Sequence, residues 1–277
     1  MVGVSANTSE SVKPLVKIDS LDIDFNSLKV LRGINLSITR GQTLAIIGES
    51  GCGKTVLLKT MIGLLHPSRG AVYLDGQNLA AMREKELTQQ RIRFGFLFQQ
   101  AALFDSMTIA QNIAFPMRQH TKKSEEEIYR IIVARLAEVG LPENVLGKKP
   151  AELSGGMRKR VGLARALALE PEIILYDEPT TGLDPIMSDV INELILGTRR
   201  HHPVTSVVVT HDMRTAQKVA DRVVMMYPLE RLSDNEPQIL YDGPPERIER
   251  CPDPRVTQFV NGEAGERLME MRQHNGR

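Results

Sequence analysis

The residues Gly48-Glu49-Ser50-Gly51-Cys52-Gly53-Lys54-Thr55 fit the pattern G-x-x-x-x-G-K-[ST] at every fixed position. These residue types at this spacing handle phosphate. Glycines let a backbone wrap closely around phosphate oxygens, where any Cβ would intrude. Lys54 supplies a positive charge for β- and γ-phosphates, and the Thr55 hydroxyl is a ligand for Mg2+. Further along, Asp177 and Glu178 close the apolar run Ile173-Ile174-Leu175-Tyr176. Beside a phosphate loop the first carboxylate reaches the Mg2+. The second points toward the γ-phosphate, where a carboxylate polarises water. Taken alone, a carboxylate pair at a strand end reads equally well as a solvated turn; behind a phosphate loop it reads as chemistry. The residues predict binding of a nucleoside triphosphate.

A third group is Leu153-Ser154-Gly155-Gly156-Met157, with Ser154 placed to cap a helix. A serine and two glycines at a helix N-terminus make a second anion site. One nucleotide rarely needs both sites from the same chain.

Several elements must position these groups. Thr43 to Ile47 reads as a buried strand, and a helix starts at Val56 to Ile62, so the phosphate loop lies between strand and helix. Leu15 to Ile23 and Ile34 to Ile38 alternate like strands of a small sheet, and Gly70 to Gly76 is a strand closed by an Asp-Gly turn. Ile92 to Phe98 is a further strand. Ser124 with Glu127 has the form of a capping box. Ile128, Ile131, Ile132, Leu136 and Val139 recur at helical spacing before Gly140. A helix from Gly155 to about Leu169 ends before Glu170-Pro171. Buried strands return at Ile173 to Tyr176, Val207 to Val209 and Val223 to Met226. The order predicts an antiparallel β lobe, a parallel core, and a helical subdomain inserted between the phosphate loop and the next core strand.

Composition narrows the setting. The chain has 277 residues, enough to bury a full core, and a net charge of +1, which gives no global pull toward nucleic acid. The basic run Met157-Arg158-Lys159-Arg160 is expected to be a solvated helix face. Two cysteines, Cys52 and Cys251, read as free thiols in a reducing compartment. At a helix N-terminus Cys52 is expected to have a lowered thiol pKa. No apolar run approaches the ~20 residues that span a bilayer. A soluble, cytoplasmic protein is expected, one that reaches membranes only through partners.

Ordered phosphate loop, Leu-Ser-Gly-Gly and strand-end carboxylates resemble the ATP-binding cassette (ABC) family, whose signature reads Leu-Ser-Gly-Gly-Gln. The resemblance covers roughly Leu15 to Ile248. It implies an α/β fold, the P-loop NTPase fold of ABC ATPases, with an antiparallel β lobe, a parallel-sheet core and an inserted helical subdomain at about 100–168. It also implies that two cassettes pair head to tail around two ATP molecules with Mg2+. The nucleotide would then meet Gly48, Glu49, Ser50, Gly51, Cys52, Gly53, Lys54, Thr55 and Asp177 of one chain. Ser154, Gly155 and Gly156 would face it from the other, with Asp184 of Gly182-Leu183-Asp184 along the seam. Thr55, Asp177 and Gln99, the last in Phe98-Gln99-Gln100, match the metal-sensing positions. Glu178, His211 in Val209-Thr210-His211-Asp212, and Gln99 match the catalytic ones. Phe25 lies where the family places an adenine-stacking ring, and equally where an apolar residue would cover the β lobe. Met157 departs from the family's Gln. Pro228 to Pro237 replaces the usual tight glycine turn and its role is not legible.

Within the family, Leu153 to Arg160, Tyr176 to Ile186 and Gln258-Phe259-Val260-Asn261-Gly262 resemble the cassette subunit of Mla-type lipid transporters. That resemblance implies permease subunits, an MCE-domain protein, a small cytoplasmic accessory protein and phospholipid cargo moved between inner and outer membranes. The cassette would sit at the cytoplasmic face of the inner membrane. The implied organisation is a disordered N-terminus at 1–13, an ATPase domain at 14–250 and a tail at 251–277. A cassette for another cargo, or a soluble cassette of iron–sulfur assembly, also fits the residues.

Overall fold

The computed structural model describes residues 13–26 and 28–264. The expected disordered N-terminus, apart from Lys13, lies outside them, as does the end of the tail.

Two sheets form, one from the alternating segments and one from the apolar runs. β1 (Val16–Phe25) and β2 (Leu28–Ile38) pair as an antiparallel hairpin. β3 (Thr43–Gly48) runs into the phosphate loop and α1 (Lys54–Met61). β4 (Arg69–Leu74) returns beside β1 and turns through Asp75-Gly76 into the short β5 (Gln77–Asn78). This completes a four-stranded antiparallel lobe of order β2-β1-β4-β5. α2 (Glu84–Arg91) and β6 (Phe94–Leu97) lead to three helices that pack on one another: α3 (Ile109–His120), α4 (Glu125–Glu138) and α5 (Gly155–Leu167). The chain re-enters the core through β7 (Ile173–Asp177), α6 (Pro185–His201), β8 (Thr205–Thr210), α7 (Met213–Val219) and β9 (Arg222–Met226). β10 (Ile239–Gly243) and α8 (Pro254–Asn261) close the described chain.

The second sheet has six strands in the order β10-β9-β3-β8-β7-β6, parallel except for β10 at one edge. It is covered on both faces. Ile173 and Leu175 of β7 pack toward the β lobe and α1, while Ile174 and Tyr176 pack toward α3, α4 and α5. In β3, Leu44 and Ile46 join the lobe side, and Ala45 and Ile47 join α7 and α8. Burial on both faces is why these strands read as unbroken apolar runs rather than alternating ones. Each such side chain stabilises the fold by roughly 1.5–3 kcal/mol, and truncating one to alanine would leave a cavity costing about 2–5 kcal/mol. The parallel arrangement brings Gly48, Asp177 and Thr210 to one rim, the carboxyl ends of the strands, where open α/β sheets bind ligands.

Three local features depart from or go beyond the expectations. β2 begins at Leu28 rather than Ile34, because the hairpin pairing extends until Phe25 faces Leu28. α3 carries Pro116 inside it, a residue that reads as a helix breaker, yet Thr108 and Gln111 form a capping box at its start. Residues 254–261, in the tail whose structure the sequence left open, form α8, which buries Val256 against the β3–β9 face.

Candidate nucleotide-binding and hydrolysis site

β3 delivers the chain to Gly48, where φ is +146° and an added Cβ would lie 2.2 Å from the Met226 carbonyl oxygen. Only glycine fits there. Gly53, at φ +96°, ends the loop, and a Cβ on it would fall 2.6 Å from Leu31. As the N-cap of α1, Gly53 offers no side-chain hydrogen bond. The first N–H groups of α1 therefore stay directed at an anion rather than at a capping oxygen. Lys54 is buried, and its ammonium donates to the carbonyl oxygens of Gly48 and Glu49, both at 2.8 Å. Ser50 and Gly51 lie exposed at the loop's apex.

The Thr55 hydroxyl donates to the Asp177 carboxylate at 2.9 Å and 3.2 Å. Burial pushes the Asp177 carboxyl above its ordinary value, and the Thr55 hydrogen bond opposes this. A cation beside the pair would offset that burial, and a hydroxyl plus a carboxylate is a donor set that suits Mg2+. Gln99 is exposed and has no hydrogen bond to either residue among the described residues.

Glu178 stands out by its backbone. Its φ is +49°, a left-handed conformation that is unfavourable by roughly 1–2 kcal/mol for a residue with a Cβ. Such outliers persist where their surroundings fix them. The Glu178 N–H donates to the Val209 carbonyl at 2.9 Å, and its own carbonyl accepts from the Thr181 N–H at 3.3 Å and from Lys159 Nζ at 3.0 Å. Its carboxylate accepts from Thr181 Oγ1 at 3.0 Å and lies 2.8 Å from His211 Nδ1. The two residues expected to share the hydrolytic chemistry thus meet at the sheet rim. Lys159 is 5% exposed, which corrects the expectation of a solvated basic face. Burial lowers its ammonium to about 8, and the Glu178 charge works the other way.

Ser154 caps α5, its Oγ accepting from the Met157 N–H at 3.3 Å. Gly155 lines a cavity of about 620 Å3 with Gln99, Lys159, Thr181, Gly182 and Leu183. No phosphate-loop residue lines that cavity. The structure does not join Ser154, Gly155 or Gly156 to Lys54 and Thr55 within the described chain. Asp184 caps α6, its Oδ1 accepting from the Ile186 and Met187 N–H groups at 3.0 Å each. Phe25 is 42% exposed beside exposed Leu28 at the hairpin end, so it does not serve as a cover for the lobe.

Cys52 corrects a further expectation. It is buried, and burial pushes its thiol above the ordinary value against the pull of Lys54. The helix end lowers a thiol pKa only where the thiolate can be solvated. Sequence reasoning missed the segment that grips the loop from behind. After β9, the turn Leu229–Arg231 brings Arg231 to the Glu49 carboxylate at 3.0 Å. Gln238, 2% exposed, donates to the carbonyls of Val30 and Cys52 at 3.0 Å and 3.1 Å and accepts from the Arg32 N–H. The only signal was the unusual length of the Pro228 to Pro237 connection.

A strand–loop–helix phosphate cradle, a part-buried Thr–Asp pair and a strand-end glutamate against a histidine define a P-loop nucleotide-hydrolysing cassette. The family model described as ABC transporter matches residues 31–181. The chain is 37% identical over 253 residues to the intermembrane phospholipid transport system ATP-binding protein MlaF of Escherichia coli, covering 91% of each chain. It is 41% identical over 247 residues to the probable ribonucleotide transport ATP-binding protein mkl of Mycobacterium tuberculosis, covering 89% of this chain and 66% of that one. The dimeric structure of the ATP-binding cassette MJ0796 in a post-hydrolysis state, bound to ADP and Pi, superposes with a TM-score of 0.73 at 32% identity, covering 83% of this chain and 98% of that one. The chain belongs to the ABC transporter family, as one of its ATPase cassettes.

Proposed function

We propose that this cassette hydrolyses ATP as one half of a head-to-tail homodimer and so drives phospholipid transport through separate permease subunits. The observation that carries the pairing is the separation of two anion-facing sites in one chain. The phosphate loop is closed by its own surroundings, whereas Gly155 opens onto the cavity with Gln99 and shares it with no phosphate-loop residue. A second copy supplies what each site lacks. No described helix is long and apolar enough to cross a membrane, so the reading calls for membrane-spanning partners.

In the closed pair, Lys54 and the α1 N–H groups hold the β- and γ-phosphates, and the partner's Ser154 helix start meets the γ-phosphate. Phe25, exposed at the hairpin end, stacks on adenine. Thr55 and Asp177 would hold Mg2+, with Gln99 as the sensing position, and the ion when bound would neutralise charge on the phosphate oxygens. Glu178 takes the proton of the attacking water, and His211 beside it contacts the γ-phosphate. Asp184 runs along the seam.

The phospholipid cargo is supported by the 37% identity with MlaF along 91% of both chains. An MCE-domain protein, a small accessory protein and a place at the cytoplasmic face of the inner membrane follow from the same reading. The mycobacterial relative carries a ribonucleotide name, which makes a nucleotide cargo the second reading.

The test is a pull-down from native membranes with tagged Glu178→Gln chain and ATP, followed by mass spectrometry of proteins and lipids. A permease with an MCE-domain protein and phospholipid is the expected result. Another permease would overturn the cargo, and only soluble partners would overturn the transport role.

A further inference from the structure

Lys159 has no part in the phosphate chemistry assigned above, yet it is a buried cation on the helix that starts at Ser154. An ammonium has three protons to donate and no acceptor. Among the described residues its one hydrogen bond goes to the Glu178 carbonyl oxygen, at 3.0 Å. That carbonyl belongs to the residue in the left-handed conformation, φ +49°. The other donor to it, the Thr181 N–H at 3.3 Å, comes from the same short turn and moves with it. Lys159 is the donor that comes from another element, α5.

We propose that Lys159 is a positioning residue: its ammonium fixes the Glu178 backbone in the strained conformation that sets the carboxylate against His211 and toward the attacking water. Without it, the turn relaxes toward ordinary backbone and the carboxylate swings off line. Burial of the charge is unfavourable by itself, and it is offset by the carbonyl and by the nearby Glu178 charge, which burial-driven weakening of the ammonium does not abolish. Ser154 and Lys159 lie on one rigid helix, about a turn and a half apart. The group proposed to meet one γ-phosphate and the lysine that orients the carboxylate for the other therefore share a single body.

This inference rests on the ATPase reading of Glu178. The test measures kcat, KM for ATP and thermal midpoint of the full chain for wild type, Lys159→Met, Lys159→Arg and Glu178→Gln. Methionine keeps the apolar stem and volume but removes the donor. It is expected to lower kcat about tenfold while KM stays within about twofold and Tm is unchanged. Arginine, which keeps a donor, is expected to restore kcat to within about threefold of wild type. If the methionine chain does not fold, Lys159→Gln, whose amide is too short to reach the carbonyl, must show the same kcat loss. An unchanged kcat, or a loss that follows Tm and is not rescued by arginine, overturns the proposal. Loss of hydrolysis in Glu178→Gln beside an unaffected Lys159→Met leaves the ATPase reading standing and removes only Lys159. A wild-type chain that hydrolyses no ATP overturns both.

Discussion

The phosphate loop and the Ser154 helix start are both built to meet an anion, and their surroundings are opposite. The loop is gripped on every side: Lys54 on its own carbonyls, Thr55 on Asp177, Glu49 on Arg231, and Gln238 on the Cys52 carbonyl. The helix start carries little beyond its own cap. Among the described residues the Ser154 side chain bonds only along its own helix, and a Cβ on Gly155 would meet nothing nearer than 3.9 Å. The first site is held in place by its own chain before its ligand comes. At the second, the Met157 N–H is taken by the Ser154 cap, and on the proposed reading the N–H groups before it meet an anion held by a second chain. On that reading, one chain holds two complementary halves rather than one complete site.

The two halves can be damaged separately. Lys54→Ala removes the charge at the loop. Gly155→Glu sets a carboxylate at the helix start, where the extra side chain has room and favours the helix dipole. Each homodimer is expected to lose hydrolysis at least ~100-fold. In a mixture of the two chains, about half the dimers pair different subunits, and each of those rebuilds one intact site from the undamaged halves. ATPase assays of the mixture should then return about a quarter of wild-type activity. No recovery on mixing would mean that both halves act within a single chain.

The same contrast explains what the sequence disclosed. The phosphate loop, Asp177 and Glu178, Ser154 and His211 were legible because each is a fixed residue type at a strand end or helix start, where local chemistry and local geometry coincide. Buried parallel strands were legible as apolar runs for the reason that both faces are covered. Residues that support the site from a distance were not. Gln238 reaches Val30 and Cys52 across the fold, and nothing local distinguishes it from a surface glutamine. Lys159 falls in a basic run whose face toward Glu178 is set only by how α5 packs on β6 and its neighbouring helices. Cys52 was misjudged because position on a helix was read without its burial. Pro116 hid α3 since a proline inside a helix has no local signature of acceptance.

If the segment after β9 is what closes the loop from behind, Gln238→Ala should loosen it. The change leaves the buried Cys52 carbonyl and the part-buried Val30 carbonyl without this donor, a loss of about 1–3 kcal/mol. A thermal scan is expected to show Tm lowered by roughly 3–6 °C. Titration with ATP should show weaker binding by several-fold. Lowered Tm with unchanged ATP affinity would make Gln238 a fold residue only, and the loop would then need no support from behind.

The smallest effect is expected at the opposite end of the sheet. Before β6 and β7, Arg93 and Arg40 join Glu172 and Asp75, with Arg40 at 2.8 Å from Glu172 and 2.6 Å from Asp75, and so tie the core sheet to the β lobe. The Arg93 guanidinium, then Arg40, holds the Glu172 carboxyl down at about 2, against an ordinary 4.5. A carboxyl lowered on folding adds stability that is present above its unfolded value and lost as pH falls from about 4.5 through about 2. With its side chain 42% exposed, Glu172 is screened by water, and the contribution is under about 1 kcal/mol. Glu172→Gln is therefore expected to lower Tm at pH 7 by about 1–3 °C and to flatten the fall in Tm between about pH 4.5 and 2, with ATP hydrolysis unchanged because the cluster lies at the strand starts, away from Gly48 and Asp177. An ATPase loss in this variant would mean that the ion-pair cluster joining lobe and core, and not only the loop's own grip, sets the geometry of the phosphate site.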